Sequence, residues 1–193
     1  MLKLLTLFRK AKDGVAAVEF ALCVPVMAVL ILGVTELTSA LECRQKVTAM
    51  ASSAADLVAQ YTQISTSNMN DIMSAVDAII YPFPTTNAKV TISSITSDGN
   101  GGGKVAWSKG SSGATTRATN SSVSLPTGLM AKYTCVGSTC SGCASGACSV
   151  ILAEITYNYS SYSNTTKFIT GSLTLSDKFY AKPRRSATVG FGP

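Results

Sequence analysis

The sequence predicts an α+β chain: one long N-terminal helix, first transmembrane and then amphipathic, docked on a small antiparallel β-sheet. Three observations predict it. Val15 to Val34 is an apolar run whose only charged residue is Glu19. Past that run, Cys43, Val47, Met50, Ala54, Leu57/Val58 and Tyr61 recur at spacings of four and three, a single helical stripe. Later segments, Lys89–Ser97 and Val150–Ser160 above all, switch to the period of two that marks strands.

The apolar run comes first. Twenty helical residues rise roughly 30 Å, the thickness of a bilayer's hydrocarbon core. A carboxylate inside such a segment is expensive, so Glu19 is a functional hypothesis by default. Two plainer readings compete. A secretory signal peptide would use Lys3, Arg9, Lys10 and Lys12 as its basic region and Thr38-Ser39-Ala40 as its cleavage site. The run is long for that role, and Glu19 and Pro25 fit poorly inside it. An ordinary single-pass anchor would let Glu19 snorkel to the headgroups. The basic arm orients the helix with its N-terminus cytoplasmic and the residues after Glu36 outside. Pro25 deletes the hydrogen bond to the carbonyl of Ala21 and predicts a kink or a loosened turn. Glu36 falls at the far interface, where a solvated role and an assembly role are both open.

The chain divides on this reading into a basic leader (1–14), a transmembrane helix (15–35), an amphipathic extension (36–66) and an extracytoplasmic α+β domain (67–193) with a Cys-rich loop at 135–148. The last part is long enough for a modest core of its own. Formal net charge is +6, but the leader supplies four cations against Asp13. No basic-aromatic patch stands out in the remainder, so no nucleic-acid partner is expected. Histidine is absent. That excludes Ser-His-Asp and Cys-His catalysis and every His-ligated metal site. Neither an enzyme nor a cofactor is expected.

In the soluble part, Ser67-Asn68 can cap a short helix that buries Ile72, Met73, Val76 and Ile79/Ile80, and Tyr81-Pro82-Phe83-Pro84 ends it. Lys89–Ser97 is a strand, Asp98–Gly103 (DGNGGG) a turn, and Lys104–Ser108 the returning partner. That glycine run lacks the Gly-Lys-Ser/Thr of a phosphate loop and no helix start follows it. Trp107 reads as a core or sheet-face residue. Lys109–Thr127 is aperiodic and polar, a mobile surface loop. Leu129–Cys135 is a possible strand. Val150–Ser160 and a strand within Lys167–Lys182 (Phe168, Leu173, Leu175, Phe179) pair antiparallel. Three Asn-x-Ser/Thr triplets, at Asn120, Asn158 and Asn164, are given no meaning in so polar a chain. The basic Lys182-Pro183-Arg184-Arg185 segment reads as solvated.

Cys135, Cys140, Cys143 and Cys148 stand at C-x4-C-x2-C-x4-C. The first three share a plant-type ferredoxin spacing, though the fourth follows after only four residues. A four-cysteine zinc site is sterically conceivable. The orientation above places the loop in an oxidising compartment, which favours disulfides. Three connectivities are open. Cys23 and Cys43 read as free, small hydrophobes.

Gly14, then Glu19-Phe20-Ala21-Leu22, Pro25, Gly33 and Glu36 resemble the TadE-like minor pilins (pseudopilins) of the tight-adherence (Tad, Flp) pilus system. The resemblance implies a pilin-like layout and cleavage by a prepilin peptidase between Gly14 and Val15. Glu19 and Phe20 then become the fifth and sixth residues of the mature chain. It implies other Tad pilins and pseudopilins, an inner-membrane platform with its secretion ATPase and the lipid bilayer as partners. The implied location is the bacterial inner membrane, single-pass with the C-terminal domain periplasmic, then a cell-surface pilus serving adhesion and biofilm formation. Glu19 lies one helical turn from Val15, so its carboxylate can neutralise an α-ammonium exposed there, its own or a neighbour's. The competing readings are a membrane-anchored periplasmic binding module with an unprocessed N-terminus and a redox enzyme built on the cysteine cluster.

Overall fold

The structure is a computed structural model that describes residues 14–111, 113–136, 138–161 and 172–192. The basic leader up to Asp13, the Asn164 triplet, Phe168 and most of the expected turn before the last long strand lie outside the described residues. Of those described, one compact unit holds the long helix up to Ala40 with Ser160 and Ser161; the other holds Leu41–Tyr159 and the chain from Ser172 onward.

Helix α1 runs Val15–Ala59, 45 residues, and continues unbroken through Pro25. Its C-terminal part explains its own amphipathic pattern: Cys43, Val47, Met50, Ala51, Ala54, Ala55, Val58 and Ala59 are buried, while Arg44 and Gln45 are exposed. Small Ala and Ser residues in this stretch let the helix lie close to whatever it covers.

Strand β1 (Gln63–Ile64) leads into helix α2 (Thr66–Ile79). The expected cap at Ser67-Asn68 moves upstream. Ser65 has the extended backbone of an N-cap, and its Oγ accepts from the Asn68 amide at 3.2 Å. Ser67 already sits inside the first turn. Met69, Ile72, Val76 and Ile80 are buried. The proline segment then turns the chain, with Tyr81–Pro82 cis.

The sheet has five strands: β2 (Ala88–Ser97), β3 (Gly103–Gly110), β4 (Ser122–Val123), β7 (Ser149–Ser160) and β8 (Ser172–Ala181), in the order β4-β3-β2-β7-β8. Between β4 and β7 lies a separate hairpin, β5 (Thr134–Val136) with β6 (Thr139–Ser141). The possible strand at Leu129–Cys135 is thus a strand only at its end, from Thr134. Strand β2 is central and antiparallel to both neighbours, with Ile92 opposite Ala153 and Val90 opposite Ile155 on one face. The DGNGGG turn joins β2 to β3 as the glycines required. Gly99 and Gly101 have φ of 85° and 91°, and Asp98 Oδ1 accepts from the amides of Asn100 (2.7 Å) and Gly102 (2.9 Å). A Cβ at Gly102 would lie 2.5 Å from the other Asp98 oxygen, so a larger residue there would push that carboxylate aside.

Alternation along β7 divides the core. Ile151, Ala153, Ile155, Tyr157 and Tyr159 are buried on one face, and burial first, then the charge of Cys43, push the Tyr157 hydroxyl up. Val150 and Leu152 face the other way, where they join Ile95, Val105, Val123 and Met130 in a second cluster. The Lys109–Thr127 segment, expected to be a mobile loop, supplies Val123 to that cluster and so is partly built in. Lys182, Arg184 and Arg185 are exposed, in keeping with their solvated reading, but the chain after them is built into the domain. Strand β9 (Gly190–Phe191) pairs in parallel with β1, Trp107 Nε1 donates to the Val189 carbonyl at 2.8 Å, and the Trp107 and Phe191 rings lie 5.5 Å apart.

Candidate functional site

Two regions carry the residues that the sequence singles out. The first is the N-terminal part of α1. The Val18 amide donates to the Gly14 carbonyl at 3.1 Å. The carbonyl of the Gly14–Val15 peptide is therefore the first acceptor of the helix. From Val15 on, large apolar side chains point outward: Val15 is 56% exposed, and Phe20 and Leu22 are each 69% exposed. The most apolar 18-residue window of α1 has no buried share at all. An apolar surface this large marks contact with a membrane or with other protein, since apolar burial is the main favourable term in folding. The helix is long and apolar enough to cross a membrane.

Glu19 is exposed on this surface, four residues from Val15 and hence on the same helical face. A Cβ at Gly14 or Gly33 would meet nothing within 4 Å. The smallness of Gly33 is therefore not needed to pack this chain against itself. At the far end, Thr35 Oγ1, Thr38 Oγ1 and Ser39 Oγ donate back to the carbonyls of Leu32, Val34 and Thr35. Such back-bonding satisfies hydroxyls where water is scarce. Glu36 is only 5% exposed, so the solvated reading of that residue does not hold.

The second region is the cysteine loop. Of the three possible connectivities, the chain adopts Cys135–Cys140 and Cys143–Cys148. Register explains the first pair, because Cys135 and Cys140 are directly opposed across the β5–β6 hairpin. The second is held at the end of β2. Ser97 Oγ donates to the Cys143 carbonyl (2.9 Å), the Ser97 amide to the Cys148 carbonyl (2.9 Å), and the Gly146 amide to the Ser97 carbonyl (2.8 Å). Gly142, at φ 94°, makes the approach possible, since a Cβ there would lie 2.2 Å from the Lys132 carbonyl oxygen. The four thiolates that zinc or iron would need are consumed in these bonds.

Cys43 is fully buried, and burial first, then the Glu42 carboxylate, push its thiol up to about 11, with Lys46 opposing. It stays protonated and inert at neutral pH.

Sequence reasoning missed two polar constellations. Glu154 accepts from Arg117 Nε and Nη2, both at 2.8 Å, and pairs with Lys178 Nζ at 2.9 Å. Burial pushes the Glu154 carboxyl up, but hydrogen bonds and charge from Arg117 and Lys178 outweigh it and hold the group below the usual range. A signal was present: Glu154 is the sole charged residue of β7, and a charge on a buried strand calls for a partner. The other constellation joins Arg184 to Asp56 of α1.

Residues 14–56 match the family model described as TadE-like protein. The match falls on the segment that carries the sequence resemblance and stops three residues short of the end of α1. No curated protein and no solved structure matches the chain.

Proposed function

We propose, on the premise of a TadE-like segment at residues 14–56, that this protein is a minor pilin (pseudopilin) of a Tad pilus, processed after Gly14 and inserted into or priming the filament. The observation that carries this reading is the exposed apolar surface of the N-terminal part of α1, from Val15 to Val34, with a single carboxylate one turn from Val15. Such a surface suits lipid first and neighbouring helices afterwards.

The local geometry suits processing. A protease needs the scissile peptide extended, and the Gly14–Val15 bond lies in the first turn, where one bond to the Val18 amide holds it. Opening a single terminal turn is cheap, because helix ends fray. Gly14 presents no Cβ to the enzyme. Cleavage removes the leader's four cations and creates an α-ammonium at Val15.

Assembly then uses the new charge. In low dielectric, an unpaired carboxylate or ammonium costs several kcal/mol. Glu19 of one subunit and Val15 of the same or the next neutralise each other only in one register, so misplaced subunits are penalised. Phe20 and Gly33 shape the helix face, the aromatic ring filling and the glycine admitting a close neighbour. Glu36 terminates the span near the interface. The periplasmic domain faces outward, and the work of the protein is assembly for surface adhesion rather than catalysis. Its partners on this reading are the prepilin peptidase, other Tad pilins, the platform with its secretion ATPase, and the bilayer.

The deciding experiment is the mature N-terminus of the protein purified from wild-type cells. A start at Val15 is the expected result. A start at Met1 or Lys3 would make it an anchored periplasmic binding module, and a start at Leu41 a secreted domain.

A further inference from the structure

We propose that the Cys135–Cys140 disulfide is a thiol–disulfide exchange site that accepts an external cysteine thiolate, whereas Cys143–Cys148 is a structural bond. The two bonds close loops of equal length, each with a sequence separation of 5. Chain entropy therefore does not distinguish them. Access and anchoring do.

Each described residue of β5 and β6 is exposed, Cys135 and Cys140 included, and Val136 between them is 84% exposed. The hairpin is tied to the domain at its base, where the Tyr133 amide donates to Gly99 and the Cys143 amide to Ala131. Beyond those bonds it carries its own ladder, Thr134 opposite Ser141 and Val136 opposite Thr139. Opening its disulfide leaves that ladder and both basal hydrogen bonds in place. Cys143 and Cys148, by contrast, are half-buried. Their carbonyls accept from Ser97 of the central strand, so opening that bond loosens the end of β2.

The exchange balances on three sulfurs. An incoming thiolate attacks one Sγ of the pair and the Sγ–Sγ bond breaks. The other Sγ leaves as a thiolate, and a mixed disulfide links the chain to the attacker. No oxidant is consumed. The released thiolate, held opposite on the hairpin, can attack the mixed disulfide and expel the incoming thiol. The site thus allows a reversible covalent tether to a thiol-bearing molecule, either a small peptide thiol or a cysteine of a protein. This inference does not depend on the pilin reading.

The test uses the full-length protein in detergent, with free thiols first blocked by N-ethylmaleimide. Reduced glutathione is added in one arm and a reduced Cys-x-x-Cys oxidoreductase in the other, followed by acid quench and peptide mapping. Cys135 and Cys140 are expected to react about tenfold or more faster than Cys143 and Cys148, in keeping with access control of exchange. Fluorescence of Trp107, the single tryptophan, should hold steady meanwhile. Reaction with glutathione points to small thiols as attackers, and reaction confined to the oxidoreductase points to protein thiols. Equal rates, prior attack on Cys143–Cys148, or loss of the Trp107 signal with the first bond opened would overturn the proposal. A Cys135→Ser/Cys140→Ser variant should fold with the same Trp107 signal and lose the fast phase; a fast phase that persists would overturn it as well.

Discussion

Arg184 donates its backbone amide to the carbonyl of Ala59, the last residue of α1, at 2.9 Å, and its guanidinium pairs with Asp56 one turn earlier. The final carbonyls of a helix have no partner within it. Here the C-terminal segment supplies one from more than a hundred residues away. It then continues into β9, which closes onto β1 directly after α1. The end of the long helix is thereby tied to the domain from both sides of the chain.

The amide and the guanidinium should be separable by mutation. The ion pair is more exposed than buried, with side chains 64% and 40% accessible. Arg184→Ala should therefore cost less than about 1 kcal/mol. Arg184→Pro also removes the N–H and leaves the Ala59 carbonyl without it, a loss of roughly 1–2 kcal/mol more. Urea titration followed by Trp107 fluorescence reads both, since Trp107 packs against Phe191 and donates to the Val189 carbonyl in the same segment. Equal damage from the two variants would show that the charge, not the amide, holds the tail.

Glu154 makes stability depend on acid. Its folded pKa is depressed, so it stabilises the fold above its unfolded value, near 4.3, and this contribution fades as pH falls through the lower folded value. Glu154→Gln should flatten the wild-type decline in stability below about pH 5. Arg117→Ala removes two charged hydrogen bonds and should cost on the order of 2–3 kcal/mol at neutral pH. The deficit should shrink in acid, where the wild-type pair is itself lost. Thermal melts of both variants at pH 7 and pH 3 check the sign; a deficit that grows in acid would refute it.

Ser94 offers the opposite case. Its side chain lies on the central strand, fully buried, and among the described residues its Oγ has no hydrogen-bond partner. A buried hydroxyl without a partner is a liability of about 1–3 kcal/mol. Ser94→Ala removes the liability and little volume, so it should raise stability by roughly 1 kcal/mol. A lower urea midpoint for this variant would mean that the hydroxyl has a role the geometry does not account for.

What could be read from the sequence follows the range of the interaction. The β2–β3 hairpin was legible because DGNGGG announces its own turn, and the stripe from Cys43 to Val58 because helical periodicity is a local signal. Strand order was not legible. Nothing in Gln63-Ile64 or Gly190-Phe191 marks two-residue strands that find each other across the whole domain. Arg117 and Glu154 meet for the same long-range reason. Disulfide connectivity needed the register of β5 against β6, which cysteine spacing alone does not contain. The Ser65 cap was misplaced because Ser65, Ser67 and Asn68 are all good capping residues, and only the backbone at Ser65 decides among them.

Glu19 and Val15 supply the last prediction. Lying four residues apart on a surface with no buried share, they pack against nothing among the described residues. Replacing Glu19 should therefore leave folding and membrane insertion intact. Under the pilin reading, Glu19→Ala should also leave cleavage after Gly14 largely unaffected, because the peptidase acts on the bond before the new amine exists. The defect should come later. Without the carboxylate, the Val15 ammonium has no counter-charge in lipid, and an uncompensated buried charge costs about 3–5 kcal/mol, enough to exclude the subunit from a filament. Glu19→Gln should fail in the same way, since it keeps size and polarity but not charge. Immunoblots of sheared pili and of membranes separate the two steps: mature protein accumulating in membranes with little in pili is the expected pattern. Wild-type amounts in the pilus fraction would mean that the pair does not set the register.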